Sequence, residues 1–285
     1  WKNKFLILSI TFSSALFAVF YSLSLPNIYK SQALLSPSNA ESSISMTSKI
    51  GGLAGLAGIS VPDEAGNKST EAIARIKSFE FFENLFLPNV IFQDLVAAKS
   101  WNPQLNILQY DDDLFDRDTN KWKVDNNNSS LMPSNQEAYL EYKNIMNISQ
   151  EQKTGFVTIS IKHRSPYIAK QWTNLIVNLI NQSMRNIERE RALKSINFLN
   201  TQFLRLNYDE IKESAANLLE EEMKSLMMIE ADEDYVFKTI NSAIVPERKS
   251  EPRRSVIVIV SSLLGFMIGA FISLLMNFVR SNAQS

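Results

Sequence analysis

Few residues in this chain are placed to do covalent chemistry. The single histidine, His163, has no Cys, Asp or Glu at ligand spacing, and no strained serine turn accompanies it. It therefore reads as a structural residue rather than a metal ligand or a triad member. With no cysteine in the sequence, a disulfide framework, a thiolate metal site and a Cys nucleophile are all excluded. Asp111, Asp112, Asp113, Asp116 and Asp118 cluster, but the central glycine and closing glutamate of a calcium loop are missing, so they read as a solvated acidic loop. The glycine-rich run containing Gly51, Gly52, Leu53, Gly55, Leu56 and Gly58 lacks the following Lys-Ser/Thr pair and the leading strand of a phosphate loop. It is read as either a mobile apolar loop or an interface loop that meets neighbouring subunits or the membrane surface. Tyr29, Trp101, Trp122 and Trp172 could stack on sugar rings, although core packing is the plainer reading of each. No catalytic, cofactor or metal site emerges, and an enzyme is not expected. Basic and acidic residues nearly balance, 29 against 30, so no basic face points to nucleic acid.

The elements that must position these residues begin with two apolar stretches. Residues 5–25 and 256–279 carry no Lys, Arg, Asp or Glu. Each is long enough to cross a bilayer core as a helix. Two crossings return the chain to its starting side. Residues 1–4 and 280–285 then become cytoplasmic flanks, and residues 26–255 a single domain on the far side. Lys2 and Lys4 favour this orientation, whereas Arg248, Lys249, Arg253 and Arg254 on the far flank oppose the local charge rule. Long translocated domains largely escape that rule. Gly265 and Gly269 form a small-xxx-small pattern in the second span, suited to close packing against the first span. Ser9, Thr11, Ser13 and Ser14 can bond their own helix backbone or face a partner.

Within the domain, residues 28–35 alternate as a strand after the first span, and 155–163 form the strongest strand pattern of the chain. Helices are expected over 71–87, around 90–98 and over 137–146, with residues 100–134 as loop. Ser165-Pro166 opens a helix, and from Tyr167 to Ala231 there is neither Gly nor Pro. Apolar residues recur there at three- and four-residue steps, among them Leu193, Ile196, Leu199, Phe203 and Leu206. One helix over 166–231 would project far beyond any domain of this size, with that stripe as an oligomer contact. A break near Asn207 to Asp209 would instead give a helical hairpin. Glu188, Arg189, Glu190, Arg191, Glu220, Glu221 and Glu222 read as solvated or inter-subunit ion pairs on the long helix. Strand character returns over 235–240 and 243–245, and Pro246 and Pro252 stiffen the link into the second span. The expected fold is α+β: a membrane-proximal α/β platform with a very long projecting helix, anchored by two transmembrane helices.

This order of elements resembles the polysaccharide co-polymerases, represented by the Wzz O-antigen chain-length determinants. The resemblance rests on the first strand, the Gly155-Phe156-Val157-Thr158-Ile159-Ser160-Ile161 strand and the Ser165-Pro166 helix start. It extends to Leu226 through Ala231, Tyr235-Val236-Phe237, Ala243 through Glu247, and Pro252-Arg253-Arg254 leading into Gly265-Phe266-Met267-Ile268-Gly269. It implies a bacterial inner-membrane protein with both termini cytoplasmic and its main domain periplasmic. Such a protein would assemble into a ring, often an octamer, and act with a Wzy polymerase on lipid-linked polysaccharide without cofactors. Nascent lipid-linked polysaccharide is a further candidate partner besides the bilayer. Two alternatives stay open: a capsule or exopolysaccharide export adaptor of the same broad family, and a two-span periplasmic sensor.

Overall fold

The computed structural model describes residues 4–38, 64–126, 128–203 and 209–282. Helix α1 (Lys4–Ser24) leads through a short extended link into strand β1 (Tyr29–Pro37). Helix α2 (Glu64–Ile76) ends just before Ser78, whose hydroxyl accepts from the Phe81 N–H and so caps a new helix, α3 (Phe79–Phe81). That helix widens into a π-turn (Phe82–Phe86) and closes in a 3-10 turn (Leu87–Asn89) around Pro88. The helix expected over 71–87 thus starts earlier and is broken at a capping serine. Helix α4 (Phe92–Val96) follows.

Residues 100–134 are not simply loop. They hold two small antiparallel hairpins, β2 (Ala98–Asn102) with β3 (Ile107–Tyr110) and β4 (Phe115–Asp116) with β5 (Lys121–Trp122). Strands of two to five residues are too short to display a period of two. Their turns use Asn106 and Asn120 in the left-handed region, at φ 52° and 53°, so the same asparagines that suggest loop are what make the hairpins.

Helix α5 (Asn135–Ile145) begins with a reciprocal cap, Ser134 and Glu137 each bonding the other's backbone N–H, and runs directly into β6 (Met146–Gln150). After β7 (Val157–His163), helix α6 (Pro166–Phe203) is followed by α7 (Asp209–Ala231), then β8 (Phe237–Asn241) and α8 (Arg254–Asn282). The main sheet is wholly antiparallel, in the order β6-β7-β1-β8. In the β1–β7 register Tyr29 faces His163, Ala33 faces Ile159 and Leu35 faces Val157. Alternate residues of β1 and most of β7 are buried, and the lower half of α6 packs across both strands. Phe82, Phe86, Tyr142, Trp172, Ile176 and Ile180 close the core on that side, with Phe86 and Tyr142 rings 4.8 Å apart.

The single helix expected over 166–231 is replaced by two. Arg189 Nε lies 2.7 Å from Glu230 Oε1, and Phe203 shares a furrow with Ala216 and Leu219. Residues 189 and 230 are close only if α7 returns antiparallel to α6. A lone helix would have left its whole upper stripe in water, and folding back covers part of it.

Candidate functional site

Two features stand apart from the packed platform: the helical hairpin above it and the paired apolar helices below. On α6 the residues from Pro166 to Met184 provide nearly all the buried positions, and beyond Met184 only Ala192 is buried. The remaining stretch to Phe203 extends about 28 Å at 1.5 Å per residue. Along it Leu193 and Phe198 are exposed, and Leu218, Met227 and Met228 are exposed on α7, Phe198 at 62% and Met228 at 70%. Ile196, Leu199 and Phe203 are half-buried. Phe203 helps line an apolar furrow of about 540 Å³ between the two helices, together with Ala216, Leu219, Met223 and Met227. The five stripe residues named from the sequence therefore do not share one environment. Leu193 is open, Phe203 faces α7 of its own chain, and Leu206 lies outside the described residues. So do Gly51, Gly52, Leu53, Gly55, Leu56 and Gly58.

Some charged residues of the hairpin pair within it. Glu188 pairs with Arg191 at 2.8 Å, Glu220 with Lys224 at 2.5 Å, and Arg189 with Glu230 across the hairpin.

At the other end, α1 and α8 are helices long and apolar enough to cross a membrane, over Lys4–Ser24 and Arg254–Met276. They pack against each other. A Cβ placed on Gly265 would sit 2.6 Å from Ser14 Cβ, and one on Gly269 would sit 3.2 Å from Ile7 Cα. Ser14 Oγ donates across the contact to the Ser261 carbonyl at 2.8 Å, whereas Thr11 bonds back to Ile7 of its own helix. Beside these helices, Ile28 bridges to Glu251, and Pro246 and Pro252 flank this return segment.

The residues with chemical potential are occupied in structure. His163 is buried against Trp172, with ring centroids 4.9 Å apart. Its Nδ1 accepts from the Ser165 N–H at 3.0 Å, which leaves Nε2–H to donate to the Asp94 carbonyl at 2.9 Å. Burial holds its pKa down to about 4. Burial also raises the Asp94 carboxyl, which the Tyr110 phenol contacts at 2.6 Å, and pushes that phenol up. Asp111 pairs with Lys99, whose hydrogen bond lowers the carboxyl, and Asp116 accepts from the backbone of its own turn. Tyr29 packs edge-on against Trp101, Trp122 packs against Phe115, and Trp172 is buried. Among the described residues no group of His, Cys, Asp or Glu is arranged to hold a metal.

One residue that joins platform and hairpin escaped the reading of the sequence. Asn181 is buried on α6, where its Oδ1 accepts from the Val236 and Phe237 N–H groups at 3.1 and 2.9 Å. Its Nδ2 donates to the Phe237 carbonyl at 2.8 Å. Asn174, one heptad earlier, accepts from the Ala243 N–H. Two asparagines seven residues apart on an apolar stripe were the available signal. They fasten the return chain to the helix on which the outward excursion began.

Residues 1–85 match the family model Wzz, chain length determinant protein. No curated protein sequence matches the chain significantly. Among solved structures, the chain is similar to a full-length bacterial polysaccharide co-polymerase, at 14% identity and TM-score 0.40, over 99% of this chain and 96% of that one. It is also similar to a fragment of WzzB, a polysaccharide co-polymerase from Salmonella Typhimurium, at 11% identity and TM-score 0.33, over 79% of this chain and 100% of that fragment. Over the matched residues 1–85, which take in α1, β1 and α2, the chain is Wzz-like.

Proposed function

We propose that this chain is a non-catalytic, oligomeric regulator of chain length for O-antigen or a related surface polysaccharide. It sits in a bacterial inner membrane with both termini cytoplasmic and residues 26–255 periplasmic, and it acts with a Wzy-type polymerase. The match of residues 1–85 to the chain length determinant model carries this reading. The hairpin supports it: apolar side chains such as Phe198 and Met228 stand in water well away from the platform, a surface that another copy could cover. Head-to-tail contact between neighbouring hairpins closes into a ring, and a ring of hairpins above paired spans would hold the polymerase at its base. Leu193 serves the inter-subunit contact, while Phe203 serves the hairpin itself.

The test is the silver-stained lipopolysaccharide ladder of a deletion strain with and without this chain. A shift in the modal band on complementation is expected. An unchanged ladder would refute length control, and complete loss of surface glycan in the deletion strain would assign the chain to export instead. Leu193→Asp with Phe198→Asp should lower the oligomer mass and flatten the length distribution. Intact oligomers in that variant would remove the hairpin from the contact.

A further inference from the structure

A cluster of cations at the junction of platform and spans has no role in the reading above. Residues 248–254 run Arg-Lys-Ser-Glu-Pro-Arg-Arg into the start of α8, and Asn27 lies three residues beyond the end of α1. The two segments are pinned together. Ile28 N–H donates to the Glu251 carbonyl at 2.9 Å, and Ser250 N–H donates to the Ile28 carbonyl at 2.8 Å. On this frame the Asn27 Oδ1 accepts from both Lys249 Nζ, at 3.1 Å, and Arg254 Nη2, at 3.2 Å. Two like charges are thus held within about 6 Å of each other by one neutral oxygen, an arrangement that favours a shared anion.

Among the described residues none supplies that anion. Glu251, the carboxylate within this segment, is engaged with Lys162 at 2.6 Å. Among the described residues no carboxylate pairs with Lys249 or Arg254, and the Arg254 Nε is buried with no acceptor. Arg248 and Arg253 stand exposed beside them. The location indicates the missing partner. The cluster lies where α1 ends and α8 begins, the level at which two bilayer-spanning helices meet lipid headgroups. A guanidinium fork beside an ammonium suits phosphate oxygens.

We propose that Asn27, Lys249 and Arg254 form a binding site for a phosphate group carried on a lipid headgroup, which seats the platform on the membrane surface.

The full chain in dodecyl maltoside, titrated with phosphatidylglycerol and followed by native mass spectrometry, tests the site. Lys249→Gln with Arg254→Gln should weaken lipid binding at least tenfold. Arg248→Gln, which removes an exposed charge outside the Asn27 contacts, should change it less than twofold. Lys249→Arg with Arg254→Lys should retain most of the binding, which separates charge recognition from misfolding. Inorganic phosphate is the second probe. Competition with the lipid would support a site that reads phosphate from either source, and lipid binding indifferent to it would support recognition of the headgroup in its bilayer setting. Unchanged binding in the double glutamine variant, or equal weakening by Arg248→Gln, would overturn the site. No polymerase or glycan enters the measurement, so failure here leaves the chain-length reading standing.

Discussion

The two halves of α6 are one helix in two environments. From Pro166 to Met184 it presents Trp172, Ile176, Val177 and Ile180 to the sheet, all buried, with Thr173 and Asn181 hydrogen-bonded at buried positions. From there to Phe203 it touches mainly its return partner α7, and apolar side chains remain in water. Stability is therefore concentrated in the lower half and association potential in the upper half. Local order does not explain the difference, since both halves are regular helix. What differs is how much apolar surface each hides within its own chain.

Substitutions can break this contrast, and the largest effect is expected at its hinge. Asn181→Ala would leave two buried N–H groups and a carbonyl without partners and should destabilise the protein by about 4 kcal/mol, read from denaturant midpoints. A loss under about 1 kcal/mol would show that the return strand is held elsewhere. Next, Ile180→Ala should destabilise by about 3 kcal/mol, against about 0.5 kcal/mol or less for Leu193→Ala in the dissociated chain. Similar losses at both positions would abolish the distinction between the two halves.

The platform also carries a pH dependence set by a buried histidine. His163 is neutral and buried with its pKa lowered to about 4, whereas the unfolded chain takes up the proton near 6.5. Its contribution is complete above the unfolded value and is lost as pH falls from 6.5 towards 4, on the order of 3 kcal/mol in all. Thermal melts across that range should fall for the native chain and run flatter for His163→Gln. Parallel curves would refute the assignment.

Between the two apolar helices, Gly265→Ala should separate α1 from α8 more than Gly269→Ala does, because its Cβ meets Ser14 at 2.6 Å rather than the Ile7 backbone at 3.2 Å. Cysteine cross-linking between the helices would read the order, and the reverse order would sink this view of the contact. The smallest effect belongs to Arg189 and Glu230. Both are half-exposed, and a double-mutant cycle should give a coupling of about 0.5 kcal/mol.

Much of the architecture is legible in the sequence. The two terminal helices show as long uncharged apolar runs, and β7 shows through its alternating β-branched residues. The Ser165-Pro166 start of α6 was equally plain. The small hairpins β2–β3 and β4–β5 were not, because strands so short carry no period and their asparagine turns imitate loop. The reversal between α6 and α7 stayed undecided because an amphipathic stripe says that a helix has a partner without saying which chain provides it. The sites divide in the same way. Gly265 and Gly269 could be named from spacing alone, while the five-residue stripe split between an open Leu193 and an inward Phe203.

By itself the sequence determined the order of apolar helix, α+β domain and apolar helix, the absence of cysteine and the helical character of residues 166–203, since each follows from local composition and periodicity. Only the tertiary structure decided that the helix doubles back, that Asn181 clamps the return strand and that Lys249 and Arg254 converge on Asn27. Each of these joins residues dozens to hundreds of positions apart, and local pattern carries no information about which distant partner satisfies a buried polar group or a charge.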